Sequence, residues 1–205
     1  MPGGICGTWP AFWTVGPNWP NNGEIDIIEQ VNEAGTNQMT LHSSSGCSSR
    51  ASSLQTGMQL STDCFAYAAA NQGCAVREPD ERSYGRKFNA RKGGVYAMEW
   101  TGESVKIWFW SRDRIPPNAL SASPNPSTWG RPSAKFYGSC NIDQKFRNHQ
   151  LVFDTTFCGD WAGNTWGKSS CAKKAPSCTD FVAHHPQEFS EAYWEINSLK
   201  VFKSS

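Results

Sequence analysis

The chain has 205 residues, and its 19 basic and 18 acidic side chains give a net charge of +1 at pH 7. This length fits one domain with a substantial core, so we expect residues 1–205 to form a single domain. The near-neutral balance excludes the basic surface that nucleic-acid binders and anionic membranes require, and no run is apolar enough to span a bilayer. We therefore predict that neither nucleic acid nor membrane is a partner.

Eight cysteines are scattered along the chain without zinc-ligand spacing, which favours disulfides in an oxidising compartment over a metal site. Spacing alone does not fix their pairing, but the close pairs Cys64/Cys74 and Cys171/Cys178 are the simplest predicted loop staples. The first twenty residues have neither a basic segment nor an apolar core, so no signal peptide is predicted there. We nevertheless expect a secreted protein, because of the cysteines.

Short strand-like runs separated by turn-rich loops dominate the chain and predict an all-β sandwich. Residues 112–133, rich in Pro, Ser and Asn, are predicted to form a long surface loop. One short helix is predicted at HHPQEFSEAY, with Pro186 in its first turn. The predicted strands are EIDIIEQV, NQMTLHSS, GVYAMEWT, SVKIWFWS, HQLVFDTTF and YWEINSLKVF.

Residues 23–30, GEIDIIEQ, place three carboxylates within a run of isoleucines. Strand side chains alternate between faces, so Glu24 and Asp26 share one face, while the parity of Glu29 points it into the core. A buried, unpaired carboxylate costs several kcal/mol or loses its charge. A β-bulge among residues 27–29 would return Glu29 to the face of the other two acids, and bulges are common beside active sites.

Two carboxyl groups on one strand face fit glycoside hydrolysis. A retaining glycosidase needs a nucleophile and an acid/base roughly 5–5.5 Å apart, and an acid between them can shift their pKa values. The alternatives are a solvated acidic face or a calcium site. The flanking isoleucines and the lack of calcium-ligand spacing argue against calcium, so we predict no metal.

Aromatic residues precede the acids, with Trp9, Trp13 and Trp19 in eleven residues. Aromatic rings beside a carboxylate pair suit stacking on the C–H faces of sugars, although we expect Trp9 to be a core residue. His42 is a candidate hydrogen-bonding partner for a carboxylate or a sugar hydroxyl. Trp161, in CGDWAG, occupies a turn-like segment suited to the rim of a cleft.

The segment GTWPAFW…NWPNNGEIDIIEQVN resembles glycoside hydrolase family 16, and specifically its fungal laminarinase-like endo-β-1,3(4)-glucanases. The order E-I-D-I-I-E corresponds to the bulged form of the family motif, whereas transglycosylases acting on chitin and glucan, and bacterial lichenases, typically have the unbulged form. The similarity continues through MTLHS, YAMEWT, VKIWFW, TFCGDWAG and YWEINSLKVF, and so covers essentially the whole chain.

This resemblance implies the roles of individual residues. Glu24 corresponds to the nucleophile, Glu29 to the acid/base, and Asp26 to the assisting acid, with His42 close to that group. The implied sugar-contacting aromatics are Trp13, Trp19 and Trp161.

The resemblance also implies a concanavalin-like β-jelly roll of two antiparallel sheets with a concave glycan cleft and no cofactor. We expect a monomer whose partner is a β-glucan. Family domains begin well before G-T-W-P, so we expect the strands that precede this segment in the family to be missing here. Two alternatives stay open: a non-catalytic β-glucan-binding protein on the same fold, and a glucan transglycosylase.

Overall fold

The computed structural model describes residues 1–51 and 53–203, in which strands are far more extensive than helices. The described residues form three α-helices, all short: α1 (Gly85–Ala90), α2 (Ile142–Lys145) and α3 (Cys178–His184). The strands are β1 (Thr8–Val15), β2 (Glu24–Glu29), β3 (Gln38–His42), β4 (Ser48–Ser49), β5 (Met58–Gln59), β6 (Cys74–Arg77), β7 (Gly94–Trp100), β8 (Val105–Ser111), β9 (Ala134–Phe136), β10 (Gly138–Ser139) and β11 (Gln150–Phe157).

The described strands form three sheets, and every pairing between named strands is antiparallel. The largest sheet has six strands in the order β11-β1-β2-β3-β6-β5, the second has the order β7-β8-β9, and β10 pairs with β4. Apolar side chains of β2, such as Ile25, join those of β8 and β9, such as Ile107 and Phe136, in one buried cluster. Alternation along each strand therefore builds a core between the two larger sheets, which confirms the predicted sandwich.

Five of the six predicted strand segments contain strands, but YWEINSLKVF forms none in the structure. Its apolar side chains are largely exposed, with Tyr193 54% and Val201 77% accessible. Alternating side chains favour an extended backbone, but a strand also needs a neighbour that completes its hydrogen bonds, and the described residues offer none here.

The helix predicted at HHPQEFSEAY is also wrong in position. The helix α3 (Cys178–His184) ends at the first residue of this segment, and Pro186–Phe189 forms only a 3₁₀ turn with Pro186 at its start. A residue that precedes proline is disfavoured in the helical conformation, and His185 has a φ of −128° and a ψ of 54°. The helix therefore stops where the predicted one was to begin.

All eight cysteines are paired in disulfides: Cys6–Cys171, Cys47–Cys140, Cys64–Cys74 and Cys158–Cys178. The predicted pair Cys64/Cys74 is confirmed, whereas the predicted pair Cys171/Cys178 is wrong. Cys171 and Cys178 lie in a second core cluster with Trp166 and Phe181, where each meets a cysteine from another element. Tertiary packing thus overrides proximity along the chain.

Residues 112–133 contain only the 3₁₀ turns Arg112–Arg114 and Pro126–Thr128, as predicted for a long loop. Trp129 anchors this loop edge-on against Trp108 and Trp110 of β8, at ring-centroid distances of 5.2 and 5.3 Å. None of the helices in the described part of the chain is long and apolar enough to cross a membrane.

Candidate active site

A bulge in β2 organises the carboxylates. Across β1, Phe12 pairs with Ile28 and Trp13 pairs with Asp26, so one residue of β2, Ile27, has no counterpart. The register with β3 shifts at the same place, between Asp26 and Glu29. The predicted bulge is therefore confirmed, and the isoleucines between the acids pack into the core.

The side chain of Asn37 supports this bulge from within the protein. Its amide oxygen accepts a hydrogen bond from the backbone N–H of Glu29 at 2.9 Å, and its amide nitrogen donates one to the carbonyl of Ile27 at 2.8 Å. Asn37 is fully buried. Sequence reasoning missed this residue, because nothing in its local sequence indicates that it faces a bulge.

Glu29 accepts a hydrogen bond from the indole of Trp9, with 2.8 Å between Nε1 and Oε1. Trp9 is half-buried and lies outside the core cluster, so the expectation of a core residue is wrong. The physical reason is parity: Trp9 and Trp13 lie four residues apart on one face of β1, while Phe12 faces the core. The same alternation rule, applied to β1, could have placed Trp9 beside the acids.

Trp161 lies beside Trp9, with the two rings edge to face and their centroids 6.0 Å apart. A turn at Gly159–Gly163 carries Trp161, and the disulfide Cys158–Cys178 anchors its start. Gly159 has a φ of +61°, and a Cβ there would lie 2.9 Å from the Trp9 ring. Glycine therefore permits both the turn and the close approach.

At the other end of β2, His42 is the cross-strand partner of Glu24. Its Nε2 lies 3.4 Å from Oδ2 of Asp26, and both side chains are buried. The indole of Trp19 and the carboxyl of Asp26 both hydrogen-bond to Glu24. The structure therefore brings His42 and Trp19 together with the first two acids.

Two predicted tryptophans of the site, Trp13 and Trp19, each contact a residue that the sequence analysis did not predict. Trp13, a predicted residue, is half-buried and donates a hydrogen bond from its indole to Oδ2 of Asp154 at 3.0 Å. Trp19 is 38% exposed and meets Tyr67, which is 68% exposed, edge to face at 5.8 Å. Asp154 and Tyr67 were missed, since each lies in a segment that looks unremarkable by itself.

Burial raises the pKa values of all three motif carboxyls. It raises the pKa of Glu24 to about 8, and the neighbouring charge of Asp26 adds to this. Burial raises the pKa of Glu29 to about 7, although the hydrogen bond from Trp9 counteracts the increase. The pKa of Asp26 lies well above its usual range because of burial and the charge of Glu29. Neighbouring buried carboxyls cannot all ionise at neutral pH, so they retain protons.

Comparison of the chain with known proteins shows the family to which it belongs. Residues 1–202 match the model described as the XgeA-like, catalytic domain of glycoside hydrolase family 16. The chain belongs to glycoside hydrolase family 16. It is 49% identical over 208 residues to a probable endo-1,3(4)-beta-glucanase of Aspergillus fumigatus, covering 99% of this chain and 32% of that protein. The chain thus spans about a third of the length of most of the curated relatives it matches, and just under half of the length of two others.

Two solved structures of the family share the fold. An elongating family 16 beta-1,3-glucosyltransferase superimposes with a TM-score of 0.87 and 49% identity over 96% of this chain and 67% of that one. Laminarinase 16A of Phanerochaete chrysosporium was solved with β-glucans in both donor and acceptor sites. It superimposes with a TM-score of 0.85 and 40% identity over 94% of this chain and 66% of that one. The expected jelly-roll fold is therefore confirmed.

Proposed function

We propose that this chain hydrolyses internal bonds of β-1,3-glucan or mixed β-1,3/1,4-glucan by retaining double displacement. The observation that carries the proposal is the bulge, which puts Glu29 on the face of Glu24 and Asp26 while the isoleucines between them stay in the core. Two carboxyls on one face are what this chemistry requires. The names of the relatives support the substrate class, since one is an endo-1,3(4)-beta-glucanase and another was solved with β-glucans.

In the first step, Glu29 acts as the general acid and donates a proton to the glycosidic oxygen. A pKa of about 7 supports this role, because the group keeps its proton in weakly acidic solution yet can release it readily. In the second step the same group, now ionised, takes a proton from the water that attacks the intermediate.

Glu24 is the proposed nucleophile, which must be ionised when it attacks the anomeric carbon. Asp26 is the more deeply buried of these two hydrogen-bonded carboxyls, so we propose that Glu24 attacks from the form of the pair in which the shared proton lies on Asp26. A protonated Asp26 no longer repels the charge of Glu24 and donates a hydrogen bond to it. Trp19 stabilises the same carboxylate, and His42 lies against Asp26 on its other side.

Trp13, Trp19 and Trp161 are the proposed sugar-contacting aromatics. Each of the three is at least partly exposed. Trp19 hydrogen-bonds to Glu24, and Trp161 packs against Trp9, the hydrogen-bonding partner of Glu29. Trp13 lies on the same strand as Trp9 and hydrogen-bonds to Asp154. Aromatic rings combine a large apolar face with a polar edge, which suits a sugar ring that has apolar C–H faces and hydroxyl edges.

We further propose that residues 1–205 belong to one catalytic domain of a secreted fungal protein that acts as a monomer without a cofactor or metal. Four disulfides support an oxidising compartment. The similarity to a protein of the fungus Aspergillus fumigatus supports a fungal origin. The near-zero net charge supports a neutral polysaccharide partner over nucleic acid or an anionic membrane.

The test is reducing-end release from laminarin by the 205-residue chain, with Glu24→Gln and Glu29→Gln as catalytic variants and Glu103→Gln, in an exposed turn, as the matched control. We expect release by the wild type and the control, near-complete loss in both catalytic variants, and β-configured products by NMR. Release by Glu24→Gln at the wild-type rate would overturn the assignment of the nucleophile. Binding of laminarin without release would assign the folded chain to glucan recognition.

Transfer to a second glucan is the alternative activity, favoured by the 49% identity to an elongating beta-1,3-glucosyltransferase. Both reactions share the glycosyl-enzyme, and they differ in whether water or a sugar hydroxyl attacks it. Sizing the products formed from a short β-1,3-glucan in the presence of excess acceptor separates them. Products longer than the donor indicate transfer, whereas exclusively shorter products indicate hydrolysis.

A further inference from the structure

Asp154 is a fourth carboxylate on the face that carries the catalytic acids. It lies on β11, where its cross-strand partner is Ala11 of β1. The partner of Ala11 on its other side is Glu29 of β2. Residues that pair directly across a sheet project to the same face, so Asp154 and Glu29 flank the small side chain of Ala11 in one row.

Asp154 also fixes one of the aromatic residues of this face. Its Oδ2 accepts the hydrogen bond from the indole of Trp13 at 3.0 Å. The hydrogen bond connects residues 141 positions apart, and both side chains are partly buried. A hydrogen bond to a charged acceptor is stronger than a neutral one, so the carboxylate holds the ring in one orientation.

The charge of Asp154 acts on two catalytic acids. It raises the pKa values of Asp26 and Glu29. In both cases burial has the largest effect on the pKa, and the contribution of Asp154 is smaller. Among the described residues, the other titratable groups that interact with Glu29 are Glu24, Asp26, His42 and the buried Tyr84. Burial raises the pKa of Asp154 itself, while hydrogen bonds from Trp13 and the backbone of Ala11 lower it.

We propose that Asp154 is a positioning residue with two separable tasks: it orients the Trp13 ring, and its negative charge favours the protonated form of Glu29. The inference rests on the proposed function for its meaning in catalysis, but both tasks are physical properties of the folded chain. They can therefore be measured whether or not the chain turns over.

Three variants separate the tasks. Asp154→Asn keeps an oxygen that can accept the Trp13 hydrogen bond but removes the charge. Asp154→Ala removes both the acceptor and the charge. Trp13→Phe keeps an aromatic ring, removes the indole donor and identifies the Trp13 indole signal by its absence. Glu103→Gln, in the exposed turn, controls for the loss of one negative charge elsewhere.

The first measurements are NMR spectra of the full 205-residue chain. We expect the indole N–H signal of Trp13 to stay near its wild-type position in Asp154→Asn and to move in Asp154→Ala. We expect the carboxyl signal of Glu29 to titrate at lower pH in both variants, because removing a nearby negative charge makes deprotonation easier. An unmoved Trp13 signal in Asp154→Ala would overturn the orienting task, and an unmoved Glu29 titration in both variants would overturn the charge task.

The second measurement is laminarin hydrolysis as a function of pH. We expect Asp154→Asn to shift the alkaline limb of kcat/KM to lower pH with little change in KM, and Asp154→Ala to raise KM severalfold as well. Equal KM values in the two variants would contradict the orienting task. If the wild type releases no sugar but the two NMR shifts occur, the proposed function fails and the placement of Asp154 stands. If the wild type is active but neither NMR shift occurs, this inference alone fails.

Discussion

The amide oxygen of Asn37 accepts the backbone hydrogen of Glu29 at 2.9 Å, at the point where the register with β3 breaks. A bulge leaves backbone groups without ladder partners, and an unpaired backbone group in the protein interior is costly. The same side chain satisfies the carbonyl of Ile27. One amide thus replaces two ladder hydrogen bonds and holds the geometry that returns Glu29 to the face of the other acids.

We expect Asn37→Ala to lower the free energy of unfolding by about 3 kcal/mol, because it leaves two buried backbone groups unsatisfied. If the bulge relaxes, Glu29 is misplaced, and we expect roughly a 100-fold loss of kcat. Urea denaturation and laminarin hydrolysis measure the two effects. The exposed Asn164→Ala is the matched control, and equal stability of the two variants would contradict this role.

Gly159 offers a test of the contact between Trp9 and Glu29. In Gly159→Ala, the new Cβ would lie 2.9 Å from the Trp9 ring, at a backbone φ of +61° that alanine disfavours. If the indole is displaced, Glu29 loses a hydrogen bond that lowers its pKa. We therefore expect the alkaline limb of the activity profile to move to higher pH, opposite to Asp154→Asn.

The control for this variant is Gly167→Ala, since a Cβ at Gly167 meets nothing within 4 Å and the backbone there is not in the left-handed region. Its pH profile should match that of the wild type. A Gly159→Ala profile that coincides with the control profile would mean that the Trp9 hydrogen bond does not control the titration of Glu29.

The parts of the site that follow from strand alternation were predictable from the sequence. The parity of Glu29 required a bulge, and the bulge is present. The residues that were missed depend on contacts between different segments of the chain, which no single segment reveals. Asp154 reaches Trp13 only because β11 pairs with β1, and Asn37 meets Glu29 only through the turn that follows β2.

Two errors in the predicted fold also arise because the sequence does not show which segments pair with each other. The alternating run YWEINSLKVF has the composition of a strand, but alternation does not supply a neighbouring strand. Cys171 and Cys178 are close in sequence, yet Cys171 bonds to Cys6, 165 residues away. Local patterns predict conformation, whereas the identity of the partner is a tertiary property.

Tyr67 should extend the aromatic surface that begins at Trp19, because the two rings meet edge to face at 5.8 Å and both are exposed. The disulfide Cys64–Cys74 closes the loop that carries Tyr67. If a glucan reaches this ring, one aromatic contact of about 0.5–1.5 kcal/mol corresponds to roughly a twofold to tenfold change in affinity.

We therefore expect Tyr67→Ala to raise KM by that factor for long β-1,3-glucan chains and to leave the KM of the shortest cleaved oligosaccharide unchanged. Tyr67→Phe is the matched control, which keeps the ring and should retain the wild-type KM for both. A series of laminari-oligosaccharides of increasing length measures the effect. The same increase in KM at every length would place the lost contact at the cleavage point instead.

The buried acids make stability depend on pH. In the unfolded chain, Glu and Asp side chains ionise near pH 4, whereas in the folded chain the pKa of Glu29 is about 7 and that of Glu24 about 8. Between these values the folded state binds more protons than the unfolded state, so the free energy of unfolding falls as pH rises. The stabilising contribution of the protonated acids is complete below about pH 4. This contribution is lost as pH rises through the pKa values of the acids in the folded chain, the higher of which is about 8, for Glu24.

Asp26 is the acid of this group with the least access to solvent. Within the described part of the chain its Oδ2 makes no hydrogen bond, and His42 Nε2 lies 3.4 Å from it. Asp26→Asn replaces a group that resists ionisation with one that is always neutral. We expect it to raise Tm at about pH 8 by about 3 °C and to flatten the decrease of Tm between about pH 5 and 8, while activity falls. Calorimetry across this range measures both, with Glu103→Gln as the exposed control that should follow the wild-type curve. Parallel curves for Asp26→Asn and the wild type would show that Asp26 is ionised in the folded protein, contrary to the proton sharing proposed for Glu24.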